Sequence, residues 1–221
     1  IYNLLVENFS ASFFVGGTSR DMFLGKTVKD FDIATVAKPE EVRNLLNKHG
    51  YKTDQTNQKY GVIKAKQGKR VVEITTLRKD IKTGTRYPKV TFIKSPKQDS
   101  ERRDFTINAL YYSPKQSKIV DFHKGLLDLK AKKIRCIGNP EIRFEEDPLR
   151  IIRANRFAIS LNFAIEKKTE IAMKKNIQLI KQLTASKQQK EFKKLKSKKQ
   201  QIKLQNTLYA QGLDEDFLHV L

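Results

Sequence analysis

Asp30 and Asp32 sit one residue apart in Asp30-Phe-Asp-Ile-Ala34, and the apolar residues alternate with them. That alternation predicts a strand with Phe31 and Ile33 on one face and both carboxylates on the other. Like charges held side by side repel, so such a pair favours open solvent or a bound cation. The residues before the pair narrow the choice. Ser12 to Val15 reads as a strand running into Gly16-Gly17, and Thr18 to Leu24 as a short helix ending at Gly25. Glycine lets backbone N–H groups approach an anion closely, and a helix start behind it adds positive potential. Arg20 reaches toward the same place from the first helical turn. The order of strand, glycine pair, arginine and acidic strand therefore predicts a phosphate cradle beside a cation site. Asp30 and Asp32 are the candidate catalytic and metal-binding residues; Gly16, Gly17 and Arg20 are candidate nucleotide ligands. Mg²⁺, which takes one or two carboxylates plus substrate phosphates, is the expected cofactor.

The rest of the first half alternates between helix and strand signals. Tyr2 to Phe9 carries a short helical pattern, and Pro39 to His49 a helix with proline in its first turn and Gly50 at its end. Gly61 to Lys66 and Arg70 to Thr76 read as strands joined near Gly68. Glu73 lies opposite the faces of Val72 and Ile74. If its strand neighbours that of Asp30, it completes a triad of acids. Residues 79–100 lack periodicity and contain Gly84, Pro88 and Pro96, which predicts a long mobile loop. Phe105 to Leu110 begins as a helix that gives way to Tyr111-Tyr112. Lys118 to Phe122 reads as a strand, and Leu127 to Arg135 as a further extended stretch. After Gly138-Asn139-Pro140 the period turns helical, with no strand signal as far as Leu195. The chain thus reads as α+β, with a division near 138–145.

Charge points to the partner. The net charge is +21, from 45 Lys and Arg against 24 Asp and Glu. Such an excess favours a polyanion, because each neutralised phosphate releases condensed counterions. Residues 187–203 are mostly Lys and Gln with Phe192, Leu195 and Ile202 interspersed, and predict a basic helix or a disordered basic tract. Cys136 stands alone, which excludes an internal disulfide and fits a reducing compartment. His49, His123 and His219 have no metal-ligand spacing. No apolar run approaches the ~18–20 residues of a membrane span, so no membrane partner is expected. The first residue is Ile1, so the sequence is expected to be part of something longer.

Four segments in order carry a resemblance. Val15-Gly-Gly-Thr-Ser-Arg-Asp21, Asp30-Phe-Asp-Ile-Ala-Thr35, Arg102-Arg-Asp-Phe-Thr-Ile-Asn-Ala-Leu110 and Glu146-Asp-Pro-Leu-Arg-Ile-Ile-Arg-Ala-Asn-Arg-Phe157 resemble the motif set of class II tRNA nucleotidyltransferases and bacterial poly(A) polymerases. The resemblance covers roughly 12–165. It implies a nucleotidyltransferase head at 1–138, with a small mixed β-sheet flanked by helices. An all-α neck would follow at 139–221, truncated relative to the family. It implies that Gly17 and Arg20 hold a nucleoside triphosphate and that Asp30 and Asp32 bind the metal ions. Arg103 and Asp104 would sit near the ribose, with Asn108 one helical turn on supporting Asp104.

Residues 146–156 also suit base recognition on physical grounds. Asp147, Arg150 and Arg153 recur every third residue, Arg156 continues the series, and all would share one helix face. An aspartate accepts from an exocyclic amine while an arginine fork meets ring acceptors, which fits both CTP and ATP. The implied activity is transfer of CMP and AMP to a tRNA 3′ end in the cytoplasm. Poly(A) polymerase shares the motifs and is the alternative; an inactive RNA-binding module is a second. Two segments depart from the family pattern: Lys124-Gly-Leu-Leu-Asp-Leu129 lacks one of two usual glycines, and the usual glutamate-rich helix is matched loosely by Ser186 to Leu195, where Glu191 is the one acid.

Overall fold

The computed structural model describes residues 1–28, 30–68, 70–81 and 89–214. They divide into two compact units. One holds Ile1–Arg103 and Asn108–Gly125, the other Asp104–Ile107 and Leu126–Leu221.

The first unit is built on one mixed sheet. Its strands are β1 (Ser12–Phe14), β2 (Phe31–Thr35), β3 (Lys52–Asp54), β4 (Val62–Gln67), β5 (Arg70–Thr76), β8 (Leu110–Ser113) and β9 (Lys118–Asp121). They lie in the order β3-β4-β5-β2-β1-β8-β9. The β2–β5 pair is parallel and the other neighbours run antiparallel. Helices α1 (Tyr2–Asn8), α2 (Gly16–Phe23) and α3 (Pro39–Lys48) flank it. Val42 and Leu46, four residues apart on α3, bury against Ile33, Ile63, Val72 and Ile74. Val15, Ala34, Leu77 and Tyr111 form a separate cluster. Because successive residues of a strand face opposite ways, Asp32 shares the Ala34 side and Glu73 lies opposite Val72 and Ile74. The small mixed sheet flanked by helices is as expected.

Four sequence expectations need correction. Residues 79–100 are not one irregular loop. Strand β6 (Arg78–Ile81) pairs with β7 (Lys89–Phe92), and α4 (Pro96–Glu101) follows, capped where Ser95 Oγ accepts from the Gln98 N–H. Each strand is only four residues long and β6 has a single apolar residue, so the Val90 and Phe92 alternation of β7 is too short to mark a pair; Gly84 and Pro88 lie outside the described residues. Phe105 to Leu110 is not a helix: Thr106–Asn108 is a single 3₁₀ turn before β8. There the backbone bonds elsewhere, Thr106 N–H to Arg135 O at 3.0 Å and Ile137 N–H to Asp104 O at 3.1 Å. Leu127 to Arg135 begins in helix α5 (Gly125–Lys130), whose apolar Leu127 faces solvent. Nor is the remainder purely helical, since β10 (Lys133–Ile134) pairs in parallel with β11 (Ala164–Ile165).

Those backbone bonds also explain why residues 104–107 group with the second unit. Residues 104–107 are tied to 135–137, and Phe105 packs edge-on against Phe157, ring centroids 5.9 Å apart. The second unit centres on α7 (Leu149–Leu161), preceded by α6 (Pro140–Glu146) and followed by α8 (Lys167–Lys175), α9 (Ala185–Phe192) and α10 (Lys198–Ala210). Phe144, Ile151, Ile152, Phe192, Leu204 and Leu208 are buried in it. The basic tract is therefore helical, broken between α9 and α10. Phe192 and Leu195 bury, while Ile202 stays exposed. Among the described residues no helix is long and apolar enough to cross a membrane.

Candidate active site

In the first unit the turn from β1 into α2 lies against Asp32. The Val15 N–H donates to Asp32 O at 3.0 Å, and the Thr18 hydroxyl accepts from the Asp32 N–H at 2.7 Å. These bonds lock the glycine pair beside the acidic strand. Gly16 has φ of +61°, a region that L side chains avoid. A Cβ there would lie 3.2 Å from Asp32 Oδ2 and 3.8 Å from Arg103 Nη1. A Cβ on Gly17 would lie 3.5 Å from Arg20 Nη2. The missing side chains thus leave a gap bordered by a carboxylate and two guanidinium groups. The Gly17 N–H itself hydrogen-bonds Asp32.

The register Asp32↔Glu73 in the parallel β2–β5 pair sets those acids side by side. Burial pushes the Asp32 carboxyl up to about 6, and the negative charge of Glu73 adds to this. Arg103, the Gly17 N–H and Arg20 pull it partly back. A half-buried carboxylate that is costly to ionise is what a bound cation relieves, so the residues fit a divalent metal. Glu73 also pairs with Lys64 at 3.4 Å across the sheet. Among the described residues no three His, Cys, Asp or Glu side chains converge as a ready-made metal cluster. Asp30 precedes β2 and is exposed.

The arginines are held rigidly. Arg20 donates from Nε and Nη2 to the two carboxylate oxygens of Asp21, at 2.9 and 3.0 Å, and from Nη1 to Asn108 Oδ1 at 2.7 Å. Arg103 donates to Tyr111 Oη at 2.9 Å, to Asp99 Oδ2 at 3.2 Å and to the Asn108 carbonyl at 3.3 Å. Asn108 thus fixes both arginines, and it does so from a 3₁₀ turn instead of from one helical turn after Asp104. Asp99 and Tyr111 escaped the sequence reading. The signal was present: Asp99 stands three and four residues before Arg102 and Arg103, a helical ion-pair spacing.

The second unit carries the other motif residues. Asp104 accepts from Arg153 Nε at 2.8 Å and also from its Nη2. Glu191 accepts from Arg156 Nε at 2.7 Å and faces Arg153 Nη1 at 3.7 Å. Burial alone would push Glu191 up, but Arg156 and Arg153 outweigh it and hold the carboxyl below its usual range. Arg153 and Arg156 are therefore engaged by acids within this unit. Asp147 does not share their helix face. It ends α6 in an extended conformation, and its Oδ1 accepts from the Leu149 N–H at 3.2 Å, two residues ahead. Pro148 explains this, because it disfavours helical backbone in the residue before it. Arg150 Nη1 donates to the Arg143 carbonyl at 2.8 Å.

The sequence matches the model of the poly A polymerase head domain over residues 12–135. A CCA-adding enzyme of Streptococcus pyogenes serotype M2 (strain MGAS10270) is 40% identical over 186 residues, covering 83% of this chain and 45% of that protein. One from Lactobacillus helveticus (strain DPC 4571) is 41% identical with the same coverage. Among solved structures, the Bacillus stearothermophilus CCA-adding enzyme in complex with CTP superposes with a TM-score of 0.76 at 34% identity, over 86% of this chain and 45% of that one. A tRNA nucleotidyltransferase complexed with a primer tRNA and an incoming ATP analog gives 0.74 at 30% identity, over 94% and 59%. The chain spans about half the length of the curated relatives it matches.

Proposed function

The chain belongs to the poly A polymerase head domain family, and we propose that it transfers CMP and AMP from CTP and ATP to the 3′ end of tRNA, releasing pyrophosphate. The relatives named as CCA-adding enzymes favour this acceptor and these two nucleotides. The observation that carries the chemistry is the gap left by Gly16 and Gly17 between Asp32, Arg20 and Arg103. It offers a triphosphate fixed positive charge on one side and carboxylates for a metal on the other. Asp30 and Asp32 would hold Mg²⁺, which when bound stabilises charge on the transferring phosphoryl group. Glu73 deepens the negative field at Asp32. Arg20 and Arg103 meet phosphate and ribose oxygens, and Asp21 and Asn108 already set the plane of Arg20. Arg103 and Asp104 face the sugar, the latter steered by Arg153. Asp147, just ahead of α7, and Arg150, in its first turn, read the base, while Arg153 and Arg156 support them from further along α7. The +21 charge and the helical basic tract suit an RNA partner.

One assay tests the reading: labelled CTP and then ATP are offered with a tRNA lacking its 3′-terminal CCA. Incorporation of both supports it. Tails of AMP alone support a poly(A) polymerase, and RNA binding without incorporation a silent module.

Two substitutions refine the site. Gly16→Ala is expected to cost about 1–2 kcal/mol of stability from its positive φ and, by crowding Asp32, to reduce transfer at least tenfold. Gly25, at φ +64° with no heavy atom near a Cβ, is the control: Gly25→Ala shares the strain and keeps the activity. Equal transfer rates in the two variants would remove Gly16 from the site. Asp147→Ala is expected to lose selectivity for CTP over UTP by about one to two decades, since a carboxylate only accepts hydrogen bonds and UTP presents a carbonyl where CTP has an amine. The bond from Leu149 N–H leaves the carboxylate further acceptor sites. If only the rate falls in competition assays, Asp147 is a structural cap.

A further inference from the structure

Asp99 is a fully buried carboxylate that the chemistry so far does not use. It lies on α4 and accepts four hydrogen bonds from three parts of the first unit. Oδ1 takes the Arg78 N–H at 3.0 Å and Arg102 Nε at 2.9 Å; Oδ2 takes the Tyr111 hydroxyl at 2.6 Å and Arg103 Nη2 at 3.2 Å. Burying a carboxylate is strongly unfavourable unless it is paired and bonded in this way, and apolar residues of similar volume often serve stability better. The cluster therefore calls for a role beyond holding the fold together. Its geometry supplies one. The Tyr111 hydroxyl donates to Asp99 while accepting from Arg103 Nε at 2.9 Å, and Arg103 Nη1 donates to the Asn108 carbonyl. Three nitrogens of one planar guanidinium are thus fixed from three different residues, which determines its plane as well as its position. The edge so aimed is Nη1, the nitrogen nearest the space beside Gly16.

We infer that Asp99, acting with Tyr111, is a positioning residue that sets the orientation of Arg103 for the incoming nucleotide; this rests on the nucleotidyltransferase reading above. Burial would raise the Asp99 carboxyl, but Arg103 and Arg102 outweigh it and keep it low, so it stays ionised. Burial pushes Tyr111 up, so its proton remains in place as the donor. Arg102 pairs with the other Asp99 oxygen, Oδ1, and the Nη1 side of Arg103 lies toward Gly16.

The test is a double-mutant cycle in the full-length protein, with kcat and KM measured for CTP and for dCTP. Asp99→Asn keeps the shape and removes the charge. It is expected to lower kcat/KM for CTP about thirtyfold and to narrow the preference for CTP over dCTP. Tyr111→Phe is expected to do the same more weakly, about fivefold. In an Arg103→Ala background each should change the rate by less than threefold, because the group they orient is gone. Multiplicative losses in both backgrounds, or a folded Asp99→Asn with parental kinetics, overturns the inference. Should thermal melting show that Asp99→Asn does not fold, Tyr111→Phe decides by the same non-additivity criterion. A parent protein that transfers neither CMP nor AMP defeats the functional reading itself, and this inference with it, whereas an active parent with additive losses defeats only the inference.

Discussion

Asp32→Ala is expected to lower nucleotide transfer at least a thousandfold while leaving the circular dichroism spectrum and tRNA affinity near those of the parent. A thousandfold corresponds to about 4 kcal/mol of transition-state stabilisation, within what positioned charge at a reacting phosphoryl group commonly supplies. Asp30→Ala should behave alike. Activity within tenfold of the parent in either variant would sink the assignment of the pair. A second measurement separates loss of a metal ligand from general damage. The Asp32 carboxyl is raised to about 6, first by burial and then by Glu73. The folded state therefore holds the Asp32 proton more tightly than the unfolded chain, and ionising Asp32 costs folding free energy. That cost is absent below about pH 4, grows from there to about pH 6 and is full above it. In metal-free buffer at pH 8, Asp32→Asn should consequently be more stable than the parent by about 1–3 kcal/mol, the difference vanishing below about pH 4. Millimolar Mg²⁺ should then stabilise the parent and not the variant. Equal stabilisation of both would place the cation elsewhere.

Sequence made the Asp32 environment legible because strands carry a period of two and because the order of glycine pair, arginine and acidic strand is far more specific than any one of them. The β1–Gly16–α2–β2 path, the α3 face of Val42 and Leu46, and the face on which Glu73 lies follow from residues near one another in the chain or from alternation, whereas the pairing that sets Glu73 beside Asp32 is a non-local one that alternation does not give. What stayed hidden was set by distant partners. Phe105 to Leu110 reads as a helix start, yet the Thr106 N–H bonds to Arg135 O, and just before it Asp104 O accepts from the Ile137 N–H. The strands of the β6–β7 pair are four residues each, too short for alternation to stand out. Asp147 was placed on a helix by its spacing from Arg150, although Pro148 between them disfavours that backbone. The spacing rule for Arg153 and Arg156 did locate one face of α7, but it gave no hint that acids from elsewhere in the second unit occupy it. Charge series on helices reveal which groups are aligned and leave open what they meet.

Glu191→Ala is expected to lower the unfolding free energy by about 3 kcal/mol or more, because Glu191 is buried among cations that the chain cannot rehydrate in place. It accepts from Arg156 at 2.7 Å and from Lys194 at 2.6 Å, and it faces Arg153 at 3.7 Å. Removing one member of a buried pair strands the other's charge, which costs more than the pair itself ever contributed. For a chain of this length that loss should lower Tm by about 6–12 °C. The pH dependence runs opposite to that of Asp32. Burial raises the Glu191 carboxyl but Arg156 and Arg153 depress it further, so its contribution is full above the ordinary glutamate range and fades as the pH falls through that range and below. Parent and variant should therefore converge in acid. Replacing both partners with apolar residues, Glu191→Leu with Arg156→Met, should recover much of the stability. Nucleotide selectivity should remain impaired in that double variant, because Arg153 would keep Asp104 but lose its second acid. A loss under 1 kcal/mol for Glu191→Ala in denaturant titrations would mean that water reaches Arg156 readily, and the arginine face of α7 would then be a solvated surface instead of a set support.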